Sequence, residues 1–307
     1  MTEDMKSVYF DPITNEKCRF TDGRLITSRG EIPIINTVPR FVESAGYAAN
    51  WSYQWERWAK LHFLVENKEK ALVYFQNNFG FDPLDSKIPP MKILDAGCGS
   101  GRLLQLFGGT QHQVWGIDYS NALEFTRSNI PASNIEIAQA DINQLPFEDG
   151  FFDYIYCGVL IHMPDIEESV INLISKLMPG GTLALTFAKV ISPLNIFNFT
   201  KEIILNFYRI FTSRINDERK IMKFVDFLSR LYKYESKFIR IFVPVHKDDE
   251  EWRKCYLHDF LTAKYRRRQR PKKIIRMLKK YGMAEIKEYP TNQISITAIK
   301  KEERLIS

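Results

Sequence analysis

The chain has 307 residues, 45% of them hydrophobic and 26% charged, enough apolar content for one large α/β domain with attachments. Its net charge of +6 is unevenly spread: between Lys189 and Tyr281 about two dozen Lys and Arg face about ten Asp and Glu, a local charge of about +14 that leaves about −8 elsewhere. Four scattered cysteines, Cys18, Cys98, Cys157 and Cys255, contain no C-x-x-C pair and exclude a disulfide framework or a zinc site built on paired thiols.

The opening stretch "MTEDMKSVYF" carries acids where a signal peptide needs a basic and then an apolar run, and no unbroken apolar stretch approaches about 18 residues, so a soluble, cytoplasmic protein is expected. Residues 8–42 read as short strands and turns, and 49–76 as a helix carrying Trp51, Tyr53, Trp55, Trp58 and Phe63. From 91 to 189, strand-like and helix-like runs alternate, the pattern of βαβ units on a parallel sheet. The clearest helix spans 165–178, with Asp165 placed to cap it, Glu168 three residues on, and "PGG" as a stop, so that the next strand is expected near Thr182. Between Ile191 and Arg270 the rhythm gives way to an aromatic-rich, basic, helical insertion. A last helix after Pro271, with Ile274, Ile275, Leu278 and Tyr281 on one face and Gly282 as its end, precedes two closing strands.

The stretch "ILDAGCGSGRL" holds the first chemical signal. A dinucleotide fingerprint spaces its glycines G-x-G-x-x-G beneath a pyrophosphate. Here Gly97, Gly99 and Gly101 are spaced G-x-G-x-G, and Asp95 sits in the approach, where it would repel a pyrophosphate. A ligand with a positive end fits better, and S-adenosylmethionine has a sulfonium and an ammonium together with a carboxylate for the amides at the helix start. Asp118 ends the second strand about 20 residues further on, where an acid accepts ribose hydroxyls. Asp141 and Ile142 end the third strand, an acid for the adenine amino group and an apolar side chain for its face.

The motifs "LDAGCGSG", "GIDYS", "ADINQLPFEDGFFDYIYCGVLIHM" and "LMPGGTLALTF" resemble, in order, those of class I S-adenosylmethionine-dependent methyltransferases over 91–189, and the resemblance resumes at 271–300. It implies a Rossmann-like, seven-stranded, mostly parallel sheet with helices on both faces and one antiparallel strand. The additions would be a helical insertion after the fifth strand and a small N-terminal β-rich extension. Carried over, Asp95, Gly97, Gly99 and Gly101 border the methionine moiety, Asp118 the ribose, Tyr119 the adenine face, and Asp141 with Ile142 the adenine edge, while Cys98 and Cys157 complete the cofactor-binding set. The expected units are 1–45, an extension; 46–190, the cofactor-binding core; 191–270, an acceptor lid; and 271–307, a helix and strand pair completing the core. The flanks "EIPIINTVPRFVES", "YAANWSYQWERW" and "WRKCYLHDFLTAKY" are similar to methyltransferases of bacterial surface-polysaccharide and secondary-metabolite clusters, which often begin with a four-cysteine zinc ribbon. The matching stretch keeps only Cys18, with Asp11-Pro12 where a cysteine-proline stands in those relatives, so no metal is expected.

His162, after the fourth strand, is the candidate catalytic base, because an ordinary pKa of about 6.5 suits proton transfer near neutrality; its competing role is to hold its own loop. His258 and Asp259 are candidates for acceptor binding, Trp51 and Gln54 for closing over the methionine end, and Arg266 to Arg268 with Arg270 for a phosphate or a solvated face. His62 and His112 read as structural or surface residues. The favoured function is O-methylation of a sugar or glycan-like acceptor, with a small natural product as the alternative. An RNA-modifying protein is weighed because of the basic insertion, but no N-P-P-Y motif follows the fourth strand and no nucleic-acid partner is expected. A silent cofactor-binding protein is disfavoured by the intact motifs. Apolar residues alternating with Lys and Arg in "NIFNFTKEIILNFYRIF" and "MKFVDFLSRLYKYESKFIRIF" fit either a lid or a helix lying on the inner face of an anionic membrane. The acceptor's identity and the oligomeric state stay open.

Overall fold

The central strands are apolar almost throughout because both faces of the sheet are covered, as a parallel sheet requires. The computed structural model describes residues 3–43, 49–63, 65–191, 194, 196–212, 214–215, 217–231 and 249–302. At the N-terminus a single turn, α1 (Glu3–Lys6), leads into an antiparallel ribbon of β1 (Arg19–Thr21), β2 (Arg24–Thr27) and β3 (Gly30–Ile32) and a small pair, β4 (Ile34–Ile35) with β5 (Val38–Pro39). This extension shares the core of the main sheet. Met5, Tyr9, Cys18 and Leu25 are buried with Trp115 and Phe147, and the Trp115 indole donates to the Met5 carbonyl at 3.2 Å.

Two helices follow, α2 (Ala49–Trp58) and α3 (Val65–Phe79), so the run expected as one helix is broken by a 3₁₀ turn over Ala59–Phe63. The main sheet contains β6 (Lys92–Ala96), β7 (Gln113–Asp118), β8 (Ile135–Gln139), β9 (Phe152–Cys157), β10 (Leu177–Phe187), β11 (Met283–Tyr289) and β12 (Ile294–Lys300), in the order β11-β12-β10-β9-β6-β7-β8. The pairs among β10, β9, β6, β7 and β8 are parallel, and β12 runs antiparallel to both its neighbours. The order reverses between β6 and β9, and the carboxyl ends of these strands open the crevice where ligands of such sheets bind. Helices α4 (Leu123–Asn129) and α5 (Ile166–Lys176) connect strands, whereas "GRLLQLF" forms only a short 3₁₀ turn over Leu104–Phe107, stopped by Gly108 and by Gly109 at φ +77°. β10 starts at Leu177, earlier than expected; Leu177 pairs with Phe152, the glycine pair shifts the register, and regular pairing resumes at Thr182.

The insertion contributes α6 (Ile196–Thr212), α7 (Glu218–Leu231) and α8 (Glu250–Thr262), and α9 (Pro271–Lys280) precedes β11. Residues 232–248, the second half of the basic amphipathic run, lie outside the described residues. α7 and α8 bury Ile221, Val225, Leu228, Leu257 and Leu261 around Trp58 of α2, a core separate from the two that flank the sheet.

Asp165 caps α5, its Oδ1 accepting from the amides of Glu167 (2.8 Å) and Glu168 (3.1 Å). Removing such a cap costs about 1 kcal/mol. Asp165→Ala should therefore lower the chemical-denaturation stability by that amount with an unchanged m-value; an unchanged midpoint would show that the cap contributes nothing.

Candidate active site

Gly97, Gly99 and Gly101 have φ of +88°, +53° and +87°, in the left-handed region where a side chain is strained. Their missing Cβ atoms also make room for neighbours. A Cβ would meet Val159 at 2.2 Å from Gly97, Trp55 at 2.7 Å from Gly99, and Thr126 at 2.7 Å from Gly101. The loop is fastened to β7, because the amides of Gly97 and Cys98 donate to the Ile117 carbonyl (2.8 and 2.9 Å) and the Gly99 amide donates to Asp118 Oδ2 (2.9 Å). Asp118 Oδ1 accepts from the Ser120 amide (2.8 Å) and hydroxyl (2.5 Å). Together with the Tyr119 amide, these donors hold the carboxylate at the edge of the cavity, where it is an acceptor that a ligand hydroxyl can share.

Above this loop lies a cavity of about 360 Å³ at the carboxyl ends of β6, β7, β8 and β9. Its floor comprises Gly97, Gly99, Asp118, Tyr119, Ala140 and Ile142. α2 supplies Trp51, Gln54 and Trp55, the segment after β9 supplies Val159, His162 and Met163, and α8 supplies Trp252, Cys255, Tyr256 and Asp259.

Nine residues singled out in the sequence therefore meet on one cavity: Trp51, Gln54, Gly97, Gly99, Asp118, Tyr119, Ile142, His162 and Asp259. Six of the candidates for cofactor or acceptor binding do not line it. Gly101 packs against α4, and Cys98 and Cys157 are buried thiols, the latter pushed up to about 12 by burial. Asp141 shapes the turn after β8, accepting the Asn143 amide at 2.8 Å, so that its neighbours Ala140 and Ile142 form the wall. Asp95 is buried below the loop, and burial raises its pKa to about 8. Burial raises Asp118 as well, against the pull of its hydrogen bonds from Ser120. His258, placed in the acceptor pocket by the sequence reading, is 0% exposed and faces away, its Nε2 at 3.1 Å from Glu218 and its ring packed between Tyr53 and Trp58. The reason is helical phase: Trp252, Cys255, Tyr256 and Asp259 follow at i, i+3, i+4 and i+7 and share the cavity face, which residue 258 cannot join. That spacing was visible in "WRKCYLHD", and with it Trp252 and Tyr256 could have been found.

His162 sits on a 3₁₀ turn after β9. Its Nδ1 lies 3.1 Å from the Tyr265 carbonyl, which can only accept, so Nδ1 carries the proton and Nε2 keeps its lone pair. Burial lowers its pKa, opposed by the charge of Asp259. The Trp51 ring stands edge-on to it at 4.6 Å. His162, Gly158 and Asp259 also line a second, smaller cavity of about 140 Å³ together with Thr186, Arg266 and Gln293. Two buried polar atoms at this cavity, Asp259 Oδ1 and Arg266 Nε, have no hydrogen-bond partner among the described residues. Burial pushes Arg266 down to about 10, and its guanidinium stacks on Phe260 at 3.3 Å. Arg268, by contrast, is engaged in a two-pronged pair with Glu202 at 2.7 and 2.8 Å. Among the described residues no three or more His, Cys, Asp or Glu gather to hold a metal ion.

The larger cavity fits S-adenosylmethionine: glycines leave backbone bare at the loop, Asp118 presents a carboxylate to it, Tyr119 and Ile142 offer flat and apolar surface, and Trp51 and Trp55 offer aromatic faces that favour a cation. Residues 93–181 match a family model described as a methyltransferase domain. A demethylmenaquinone methyltransferase of Desulfitobacterium hafniense is 36% identical over 115 residues, 34% of this chain and 46% of that protein. An O-methyltransferase of Aspergillus nomiae is 33% identical over 107 residues, 33% of this chain and 48% of that protein. The chain thus spans about half the length of these curated relatives. A magnesium protoporphyrin IX methyltransferase of Synechocystis, solved with bound S-adenosylhomocysteine, aligns over 85% of this chain and 90% of its own at 13% identity and a TM-score of 0.45.

Asp118→Ala removes an acceptor from the cavity and unfastens the Gly99 amide; losing one to two charged hydrogen bonds should weaken S-adenosylmethionine binding by about ten- to a hundredfold in calorimetry. Equal affinity would remove Asp118 from the site. The raised pKa of Asp95 means that the folded chain holds a proton which the unfolded chain releases between the ordinary carboxylate range and pH of about 8, so its contribution to stability falls as pH rises through that window. Without added cofactor, the melting temperature of Asp95→Asn should gain on that of the wild type from pH 5 to pH 8; a pH-independent difference would mean that Asp95 titrates normally.

Proposed function

We propose that this chain, which carries a methyltransferase domain using S-adenosylmethionine, transfers the methyl group to a hydroxyl of a sugar or glycan-like acceptor. The observation that carries the reading is the position of His162, in the wall between the cofactor-sized cavity and the small polar one, with a tautomer that presents Nε2 as acceptor. When bound, the cofactor supplies an electrophilic methyl group on a sulfonium, already a good leaving group. The work left to the chain is to hold a hydroxyl in line and take its proton. An alcohol deprotonates very reluctantly near neutral pH, and a neutral histidine with a lowered pKa is ready to accept that proton as the oxygen bonds to carbon. Positioning contributes several kcal/mol, about 7 or more in the best intramolecular cases.

The small cavity supports a polyol. Its two unsatisfied atoms are an acceptor, Asp259 Oδ1, and a donor, Arg266 Nε, and neighbouring hydroxyls of one sugar ring can donate to the first and accept from the second. Arg266 also accommodates a negative substituent, as on a sugar nucleotide or a uronic acid. The resemblance of the flanks to surface-polysaccharide methyltransferases points the same way. In this reading α8 of the insertion walls the acceptor site, and Asp259 binds acceptor while His258 holds the helix in place.

A second reading, methylation of a quinone or other small natural product, is supported by the names of the relatives and by the aromatic side chains of Trp252 and Tyr256 on the cavity wall. A methyl-donor consumption screen separates the two: turnover with sugars, sugar nucleotides or lipid-linked glycans supports the first, and turnover with phenols or quinones alone overturns it.

His162→Ala should lower turnover by about 10² to 10⁴ with cofactor affinity nearly unchanged. Wild-type turnover should fall on the acid side as Nε2 becomes protonated, with the limb below the ordinary histidine pKa of about 6.5, and the variant should lack that limb. A rate within about threefold of wild type would assign His162 to holding its turn.

A further inference from the structure

Among the described residues, α6 is packed on one side only. Leu205 and Thr212 are buried, the Tyr208 ring meets Phe224 of α7 at 5.3 Å, and the Thr212 hydroxyl donates to the Leu261 carbonyl of α8 at 2.6 Å. The opposite side carries Ile196, Phe199, Ile203, Phe207, Ile210 and Phe211 at three- and four-residue steps, and their exposure runs from 39% at Phe199 to 75% at Ile196. Over a 17-residue helix this makes an apolar crest about 25 Å long, far from the scattered single apolar residues of an ordinary surface.

The charges of the segment fastened to α6, residues 264–273, are all basic. Glu202 is the only acid in α6, and its two-pronged pair with Arg268 neutralises it and fixes the 264–270 segment alongside the helix. That segment exposes Lys264, Arg267 and Arg270, and Lys272 and Lys273 continue the exposed basic row at the start of α9. No helix among the described residues is long and apolar enough to cross a membrane.

We infer that α6 docks the protein on an anionic membrane surface, lying in the interface with its phenylalanine and isoleucine crest in the acyl boundary and the flanking Lys and Arg on lipid phosphates. A convex apolar ridge with a basic margin is the shape and charge of an interfacial helix. The small polar cavity opens near the same insertion, so an acceptor carried on a lipid would be presented at the membrane to which the helix binds.

The test is co-sedimentation of the full chain with vesicles of phosphatidylglycerol and phosphatidylethanolamine, compared with vesicles of phosphatidylcholine alone. Pelleting is expected with the anionic vesicles, reduced by at least about tenfold in affinity on raising NaCl from about 0.1 to about 0.5 M. Ile203→Glu with Phe207→Glu should abolish pelleting while leaving the melting temperature and cofactor affinity unchanged. If that pair proves unstable, Lys264→Glu with Arg267→Glu, both at exposed positions, should still weaken binding several-fold. The proposal is overturned if the wild type stays in the supernatant with both vesicle types, if the crest variant pellets as the wild type does, or if light scattering shows a wild-type dimer that the crest variant converts to monomer, which would make the crest a self-association surface.

Discussion

The rest of the site depends on the closure of one loop onto one carboxylate. Asp118 takes the Gly99 amide on one oxygen and Ser120 on the other, and this ties the end of β6 to the end of β7 at the switch of strand order. Because the loop is bare at three left-handed glycines, Val159, Trp55 and α4 can approach it more closely than any Cβ there would allow. The wall containing His162 and the helix containing Trp51 are thus set at their heights by contacts with missing side chains. Glycine at these positions serves the packing of the protein around the cofactor as much as the cofactor itself. A substitution at Gly99 drives into Trp55, so its effect on binding passes through α2.

Much of this was legible in the sequence, for identifiable reasons. Parallel strands buried on both faces read as apolar runs, and the helices between them have caps as plain as Asp165, so the βα order and the strand-end position of Asp118 followed directly. The same property hid which residues touch the cavity. When both faces of a strand are buried, hydrophobicity does not distinguish them, and Asp95, Cys98 and Cys157 share motifs with lining residues while lying behind them. Around α8 the missing information was phase: chemistry drew attention to His258, whereas period put residues 252, 255, 256 and 259 on the cavity. The pairing of Arg268 with Glu202 joins residues 66 apart in sequence and had no local signal.

The insertion and the cofactor-binding helix are one mechanical unit. Trp58, at the end of the helix that supplies Trp51, Gln54 and Trp55, is the centre of the core formed by α7 and α8, and its indole donates to Glu251 of α8 at 2.9 Å. His258 bridges the same elements, between Gln54 and Glu218. Removing the inserted helices would therefore strip the partners of α2, and the roof of the cofactor cavity would lose its support along with the acceptor wall. Under the function proposed above, cofactor and acceptor binding would be linked through this shared core in a way that the linear order of the segments does not suggest.

Electrostatics gives the linkage its direction. Asp95 and Asp118 are both raised by burial and lie under one loop, so the chain without a ligand carries carboxyl groups that resist ionisation. A cation brought near them restores part of what desolvation removes, so a sulfonium or ammonium is favoured over a neutral or anionic ligand of the same shape. The aromatic roof of Trp51 and Trp55 acts in the same sense, because it excludes water without supplying a competing anion. On the side of His162 the shift is opposite in effect: burial lowers its pKa although Asp259 lies near, which favours the neutral imidazole that the proposed function requires. One cavity thus has a suppressed acid in its floor, Asp118, with a second, Asp95, buried behind the loop, and His162, its pKa lowered, in the opposite wall. This polarity, more than any single residue, is what supports the function proposed above, in which a methyl group and a proton would travel in opposite directions across the crevice.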